Sequence, residues 1–199
     1  MQNKENIGLA VIISGPSGVG KGTIIQNVLK DLPGFELAIS SSTRKPRAGE
    51  EHGKHYHFIS GQEFDKKVAE GRFAEWALVH GNYYGTSIDY IESLGIGKNI
   101  IFEIDVQGAI KLIELLRIKN NIFLSVFLAP PNIDDLMQRM ESRGTETRES
   151  MEIRYQNAKE EMKKSKYFDK IVINDNISKA VNEILSIINK RRNLDGKQI

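Results

Sequence analysis

The sequence predicts an α/β fold in which helices cover both faces of a central parallel sheet of five strands. Five short apolar runs have the composition of buried parallel strands, and they lie at Leu9–Ile13, Leu37–Ile39, Ile100–Ile104, Phe123–Leu128 and Ile171–Ile173. Helical patterns alternate with these runs, at Thr23–Lys30, Val106–Arg117, Ile133–Glu141 and Ile177–Lys190. Such alternation is typical of a three-layer fold whose ligands bind at the carboxyl ends of the parallel strands.

A glycine-rich turn, GPSGVGKGT, separates the first strand from the first helix. Strand, turn and helix in this order indicate a P-loop, where backbone N–H groups and a helix N-terminus bind phosphate. Lys21 would add a mobile cation for the outer phosphates, whereas the alternative is a glycine-rich turn with a surface lysine. The usual pattern G-x-x-x-x-G-K-[ST] is broken by Gly22, and the hydroxyl follows at Thr23. The predicted ATP-phosphate residues are Gly15, Pro16, Ser17, Gly18, Val19, Gly20, Lys21, Gly22 and Thr23.

Composition limits the classes of function. The 199 residues include 28 basic and 26 acidic side chains, so the net charge of +2 gives no global attraction to nucleic acid or to a membrane. The absence of cysteine excludes disulfides, thiolate catalysis and cysteine-ligated zinc. No long apolar segment opens the chain or spans a bilayer, so we expect a cytoplasmic protein with small-molecule substrates.

Two regions interrupt the alternation of strands and helices. The first, residues 41–90, predicts a small α+β subdomain with strands at Tyr56–Ile59 and Phe73–Val79. Between them, Ser60-x-x-Glu63 has the pattern of a capping box that opens a helix at Glu63–Glu70.

The second interruption, residues 137–165, is dense in charge and is broken at Arg143-Gly144-Thr145. It predicts a helical lid, and the alternative is a solvated pair of charged helices. The remaining residues, 1–40, 91–136 and 166–199, would form the core of a single domain.

A second anion site is predicted near Arg44 and Arg47, which are three residues apart. Arginine forks bind phosphate bidentately, and Tyr56 or Tyr84 could add a hydroxyl. Two phosphate sites well separated in sequence indicate two phosphorylated substrates. The alternative is a basic loop with solvated arginines.

The pattern R-x-x-R-x-x-E-x-x-G-x-x-Y-x-F, from Arg44 to Phe58, resembles the signature of guanylate kinases. Further likeness covers nearly the whole chain, through the segments FAEW at 73–76, GNYYGT at 81–86, EIDVQG at 103–108 and RGTET at 143–147. The resemblance implies transfer of the ATP γ-phosphoryl group to GMP, and also to dGMP. It also implies a core, a GMP-binding region and a lid.

The resemblance also implies roles for individual residues. Arg44, Arg47, Tyr56 and Tyr84 would hold the GMP phosphate, with Glu50 among the GMP-binding residues, and Ser40, Glu75, Thr86 and Asp105 would surround the guanine. A carboxylate such as Glu75 can accept from guanine N1–H and N2, whereas adenine has no donor at those places.

The remaining predicted residues serve the donor nucleotide. Glu103 and Asp105 would serve Mg²⁺, through water, and the sequence leaves open which of them faces the metal and which the guanine. Lys21 would stabilise the β- and γ-phosphates, and Arg139, Arg143 and Arg154 would close over the transferring phosphoryl group from the lid. Asn174 would contact the adenine side of ATP.

Three alternatives to these roles remain open from the sequence. His52, His55 and His57 could form a metal site, although acidic and thiol ligands are missing from the set. The chain could phosphorylate another nucleoside monophosphate, since adenylate kinases share the G-K-G-T sequence. It could also be a non-catalytic phosphopeptide-binding module of guanylate-kinase type, although such modules have degraded P-loops.

Overall fold

A central five-stranded sheet forms in the computed structural model of this chain, which describes residues 7–79, 81–136 and 148–194. Its strands, numbered in chain order with the other strands, are β1 (Leu9–Ser14), β2 (Phe35–Ala38), β7 (Asn99–Glu103), β8 (Ile122–Ala129) and β9 (Lys170–Ile173). They lie in the order β2-β7-β1-β8-β9. The pairs β2–β7 and β8–β9 are parallel, as the alternation of strands and helices predicts.

All five predicted apolar runs are confirmed as strands, but their boundaries differ. Strand β2 begins at Phe35 and ends at Ala38, whereas the sequence predicts Leu37–Ile39. Ile39 leaves the sheet because its N–H donates to the Tyr90 hydroxyl at 2.9 Å. A side chain distant in sequence thus replaces the next hydrogen bond of the ladder.

A second sheet of four strands forms within residues 41–87. Its strands are β3 (Ser41–Ser42), β4 (His57–Phe58), β5 (Phe73–Val79) and β6 (Asn82–Ser87), in the order β4-β3-β6-β5. Strand β3 is parallel to β4 and antiparallel to β6, which in turn is antiparallel to β5. The sequence predicts β5 correctly and β4 two residues too long, and it misses β3 and β6.

The described helices are α1 (Lys21–Lys30), α2 (Gly61–Ala69), α3 (Asp89–Gly95), α4 (Val106–Ile118), α5 (Arg148–Lys163) and α6 (Ile177–Leu194). A 3₁₀ turn, Lys164–Tyr167, follows α5. The predicted helix at Ile133–Glu141 is helical at residues 134–136, and its remainder lies outside the described residues. The predicted bend at Arg143-Gly144-Thr145 lies outside them as well.

Local capping determines where α1 and α2 begin. Ser60 caps α2, since its Oγ accepts from the N–H of Glu63 at 3.1 Å, which confirms the predicted cap and begins the helix at Gly61. Helix α1 begins at Lys21, two residues before the predicted start, because Gly20 has a left-handed φ of 96° and ends the preceding loop there.

Contacts divide the described residues into two compact units. The first contains residues 7–10, 35–79, 81–102 and 107–123, and its core includes Phe64, Leu94, Phe102 and Leu112. The second contains residues 11–34, 103–106, 124–136 and 148–194, and its core includes Ile12, Ile24, Phe127 and Ile184. In neither described unit is a helix long and apolar enough to cross a membrane.

Candidate active site

The glycine-rich loop lies in the second unit, between the end of β1 at Ser14 and the start of α1 at Lys21. Gly15, Gly18 and Gly20 have φ angles of 151°, 84° and 96°, a region that side-chain-bearing residues rarely adopt. Successive turns of this kind point backbone N–H groups inward, next to the N-terminus of α1. The loop therefore has the geometry of a phosphate cradle.

Close packing fixes the backbone at Gly15. A Cβ built there would lie 2.1 Å from the carbonyl oxygen of Leu128 on β8, in addition to the unfavourable φ. We expect Gly15→Ala to lower the free energy of unfolding by about 3 kcal/mol or more, measured by urea denaturation. Gly34→Ala is the control: its φ is 81°, but nothing lies within 4 Å of the added Cβ, so the loss should be about 1 kcal/mol. Equal losses would show that packing against Leu128 contributes nothing.

Lys21 folds back over the loop that precedes it. Its Nζ donates to the carbonyl oxygen of Gly15 at 2.7 Å and to that of Pro16 at 3.2 Å. Burial lowers the pKa of the ammonium, and the negative charges of Glu103, Glu161 and Asp105 oppose that shift. A cation held in this way stands at the loop where the outer phosphates of a nucleotide would bind.

Glu103 ends β7 and faces the first turn of α1. A Cβ built at Gly22 would lie 3.7 and 3.8 Å from its two carboxylate oxygens. Burial raises the pKa of the Glu103 carboxyl, and Lys21 counteracts the rise. A side chain at position 22 would therefore contact this carboxylate, which the glycine leaves uncrowded at that point. Thr23, the residue with the displaced hydroxyl, is exposed.

Sequence reasoning missed Glu161, which lies on α5 in the same unit. Burial raises the pKa of its carboxyl, whereas Lys21 and the backbone of Ser17 lower it. A sequence cue is Ala158, three positions earlier on the same helix face, which the structure shows to be fully buried. In a segment this rich in charge, one alanine does not single out a glutamate.

Asn174 braces the loop from the end of β9. It is 4% exposed, and its Nδ2 donates to the carbonyl oxygen of Val19 at 2.7 Å. Its backbone N–H donates to the carbonyl oxygen of Ala129 on β8 at 2.8 Å. A Cβ at Gly20 would come within 3.0 Å of Nδ2, so a side chain at position 20 would disturb this bond. The structure thus shows Asn174 in contact with the loop.

In the first unit, a buried carboxylate lies between β5 and β6. Glu75 is 6% exposed and Thr86 is fully buried. The Thr86 hydroxyl donates to Glu75 Oε1 at 2.6 Å across the paired strands. The register shifts between Phe73 and Glu75, which is the mark of a β-bulge. A bulge turns the following side chains, and here Glu75 and Ala77 become the buried side of β5.

Arg44 and aromatic rings form a second group in the first unit. The guanidinium lies 4.9 Å from the ring centre of Tyr56 and 5.4 Å from that of Phe58. The rings of Tyr56 and Tyr84 are 5.8 Å apart, edge to face. Glu50 binds Arg44 through both carboxylate oxygens, each at 2.6 Å. The structure thus brings together Arg44, Glu50, Tyr56 and Tyr84.

The other predicted residues of this region are less tightly held. The Arg47 side chain is exposed, although its backbone N–H donates to Glu50 at 2.7 Å. Ser40 is half-buried, and its carbonyl oxygen accepts from the N–H of His57 at 2.9 Å. Asp105 belongs to the second unit, where its negative charge acts to raise the pKa of Lys21 and of Glu161.

Two of the three predicted lid arginines, Arg139 and Arg143, lie outside the described residues. Arg154 is half-buried on α5. The histidine alternative finds no support: His52 and His57 contact each other edge to face at 5.6 Å, and His55 accepts from the N–H of Glu51. Across residues 7–79, 81–136 and 148–194, no group of three or more His, Cys, Asp or Glu could hold a metal ion.

Comparison with known proteins gives one consistent result. The family model "Guanylate kinase" matches residues 8–191. The guanylate kinase of Clostridium perfringens (strain 13 / Type A) is 42% identical over 187 residues, covering 94% of this chain and 85% of that protein. The guanylate kinase of Clostridium tetani (strain Massachusetts / E88) is 44% identical over 186 residues, covering 93% and 87%.

Solved structures agree with the sequence relatives. The crystal structure of guanylate kinase from Anaplasma phagocytophilum superposes with a TM-score of 0.77 at 27% identity, covering 93% of this chain and 86% of that one. Shikimate kinase from Bacteroides thetaiotaomicron shares the fold alone, with a TM-score of 0.52 at 14% identity over 91% of this chain and 98% of that one. With a family model over residues 8–191 and relatives above 40% identity along nearly its whole length, this chain belongs to the guanylate kinase family.

Proposed function

We propose that this protein transfers the γ-phosphoryl group of ATP to GMP, and also to dGMP, giving ADP and the nucleoside diphosphate. Membership of the guanylate kinase family supports this activity. The observation that carries the choice of acceptor is the buried carboxylate of Glu75, held by Thr86. It is an acceptor fixed in a protein interior, and such a group selects ligands that bring donors to it.

Guanine brings two such donors, N1–H and the N2 amine, side by side. A carboxylate can accept from both at once, and Thr86 fixes the Glu75 oxygens before the base arrives. Adenine offers no donor at the corresponding places, so its binding would leave the carboxylate desolvated without compensation. Ser40, in the same unit as Glu75, would add a further guanine contact, and Asp105 stays a predicted contact either to the guanine or to the metal.

The GMP phosphate would bind beside Arg44, Arg47, Tyr56 and Tyr84. The pKa of Arg44 is raised by its hydrogen bond with Glu50 and, less strongly, by the nearby Tyr84, so the guanidinium stays charged. Arg47 is exposed and can turn toward an incoming anion. A dianionic phosphate would find one fixed cation, one adjustable cation and two hydroxyls.

The ATP phosphates would bind in the loop from Gly15 to Thr23. Backbone N–H groups and the N-terminus of α1 would bind the anionic oxygens, and Lys21 would stabilise charge on the β- and γ-phosphates. Asn174, which holds Val19, would keep the loop in this conformation and lie toward the adenine side. Catalysis would come from positioning and charge stabilisation in a single in-line step, without a covalent enzyme intermediate.

Mg²⁺ is part of the proposal, and Glu103 fits it. Magnesium prefers oxygen ligands and is commonly held by one or two carboxylates together with substrate phosphates and water. Glu103 offers such a carboxylate next to Lys21, and Gly22 adds no side chain in contact with it. Glu103, with Asp105 in the same unit, would hold the ion through water. When bound, the ion neutralises charge on the phosphates.

The lid completes the proposed mechanism. Arg139, Arg143 and Arg154 would add positive charge to the transferring group, and closure would exclude water that could hydrolyse ATP. We propose that the chain is one domain with three parts: the core, the GMP-binding region and the lid. The cytoplasmic location is still a prediction.

The experiment is a coupled assay of ADP formation with ATP and each of GMP, dGMP, AMP, UMP and CMP. We expect turnover with GMP and dGMP, and kcat/KM at least about a hundredfold lower with the other three. Activity on AMP but not on GMP would overturn the proposal in favour of another nucleoside monophosphate kinase. Binding of GMP without ADP formation would indicate a non-catalytic module.

A further inference from the structure

Glu50 accepts three hydrogen bonds, two from the Arg44 guanidinium and one from the backbone of Arg47. Its Oε2 accepts from Arg44 Nη1 at 2.6 Å and from the N–H of Arg47 at 2.7 Å, and its Oε1 accepts from Arg44 Nη2 at 2.6 Å. The Arg44 and Glu50 side chains are 11% and 18% exposed. The bidentate geometry fixes both the position and the plane of the guanidinium.

The donors of Arg44 can be counted. A guanidinium has five N–H groups. Two of them bind Glu50, and the second N–H of Nη1 donates to the carbonyl oxygen of Lys45 at 3.0 Å. The other two are Nε–H and the outer N–H of Nη2, which lie along one edge of the guanidinium and form a second bidentate fork.

The ring contacts set the orientation of that edge. Tyr56 and Phe58 pack against the guanidinium at 4.9 and 5.4 Å, and Tyr84 lies close enough to interact with it. Rotation of the plane would break both bonds to Glu50 and these ring contacts together. Arg44 is therefore preorganised, which reduces the entropy lost when it binds an anion.

The charge of Glu50 argues against direct contact with a phosphate. Its hydrogen bond with Arg44 lowers the pKa of the carboxyl to about 2, so it is ionised at neutral pH. A carboxylate repels a phosphate dianion unless a cation stands between them. Glu50 occupies one fork of Arg44, so a phosphate would reach the guanidinium through the other fork, where the Tyr84 side chain, which also hydrogen-bonds with Arg44, could contact it as well.

We propose that Glu50 is a positioning residue for the GMP phosphate: it holds the inner fork of Arg44, aligns the loop through the backbone of Arg47, and presents the Nε–Nη2 edge to the phosphate. This inference rests on the proposed function. It replaces direct GMP binding by Glu50, which the family resemblance implies, with an indirect role.

The first experiment compares Glu50→Gln with Glu51→Gln. Glutamine keeps the shape but turns an N–H₂ group toward Arg44, whereas Glu51 is an exposed neighbour in a loose pair with Lys54 at 3.4 Å. We expect Glu50→Gln to raise KM for GMP about tenfold, with KM for ATP unchanged and kcat changed much less. Glu51→Gln should resemble the wild type. Circular dichroism and thermal melts establish that both variants are folded.

Ligand truncation separates positioning from a general structural effect. Guanosine lacks the phosphate, so Glu50→Gln should weaken its binding by less than twofold while weakening GMP about tenfold, measured by calorimetry or competition. Equal losses for GMP and guanosine would overturn the inference, since the damage would then extend to the base site.

A double-mutant cycle tests whether Glu50 acts through Arg44. Arg44→Lys keeps the charge but has no second fork. In that background, Glu50→Gln should add a smaller further loss of GMP affinity than in the wild type, because the fork that it positions is already missing and only its bond from the backbone of Arg47 remains. Additive losses would contradict an action through Arg44. If the wild type turns over GMP and the Glu50→Gln variant has the same kinetics as the Glu51→Gln variant, this inference alone is refuted. If the wild type does not turn over GMP, the proposed function is refuted.

Discussion

Replacement of Lys21 by alanine is expected to lower kcat by about a hundred- to a thousandfold while GMP binding stays near the wild-type value. The ammonium is held by the carbonyl oxygens of Gly15 and Pro16, at the loop where ATP phosphates would bind. Charge develops on those phosphates during transfer, and a fixed cation stabilises it at little reorganisation cost. The proposed contacts to the GMP phosphate, from Arg44, Arg47, Tyr56 and Tyr84, lie in the first unit, so they should be unaffected. Steady-state kinetics and GMP calorimetry measure the two effects.

Lys30→Ala is the matched control for this prediction. Lys30 lies at the other end of α1, is exposed, and makes a weak bond with Asn27 at 3.3 Å. Its removal should leave kcat within about twofold. Turnover of the Lys21 variant near that of the control would show that the loop is not the ATP phosphate site.

Replacement of Glu75 by glutamine is expected to weaken GMP binding by about a hundredfold and to leave ATP binding unchanged. Glutamine can keep the bond from Thr86 through its carbonyl oxygen, so the strand pair should survive. Its N–H₂ group, however, would face the guanine donors, which gives two donors without an acceptor in a buried site. Binding of each nucleotide alone, by calorimetry, measures the difference.

Glu70→Gln serves as the control in the same unit, since Glu70 is exposed beside Lys66 after α2. Weakening of ATP and GMP to the same extent by Glu75→Gln would exclude a role in base recognition. The melting temperature of the Glu75→Gln variant is measured in parallel. If it is low, Thr86→Val offers a second test of the base-recognition role, since it removes the hydroxyl that orients the carboxylate and leaves the acceptor in place.

The strands could be predicted because their cause is local. Runs such as Leu9–Ile13 and Ile100–Phe102 are apolar throughout, and only a strand buried on both faces makes use of every side chain in such a run. Strands β3 and β6 have no such signal. The β6 sequence, NYYGTS, is polar, and it becomes a strand because β5 and β3 offer hydrogen-bond partners on its two sides.

Within the site, the sequence predicted residue types rather than partners. The P-loop motif is local, because turn, glycines and helix start follow one another in the chain. The contact of Asn174 with Val19 spans 155 residues, and no local pattern indicates it. Glu161 on α5 likewise approaches Lys21 only through the fold.

The sequence by itself determined the α/β class, the phosphate loop, the family and the identity of the charged groups, because each depends on composition or spacing within a short segment. The tertiary structure alone decided how those groups are paired. It paired Glu75 with Thr86 next to a β-bulge, paired Arg44 with Glu50, and brought Glu103 close to Gly22. The physical reason is that the protonation and orientation of a charged side chain depend on burial and on neighbours distant in sequence, which only the packed chain supplies.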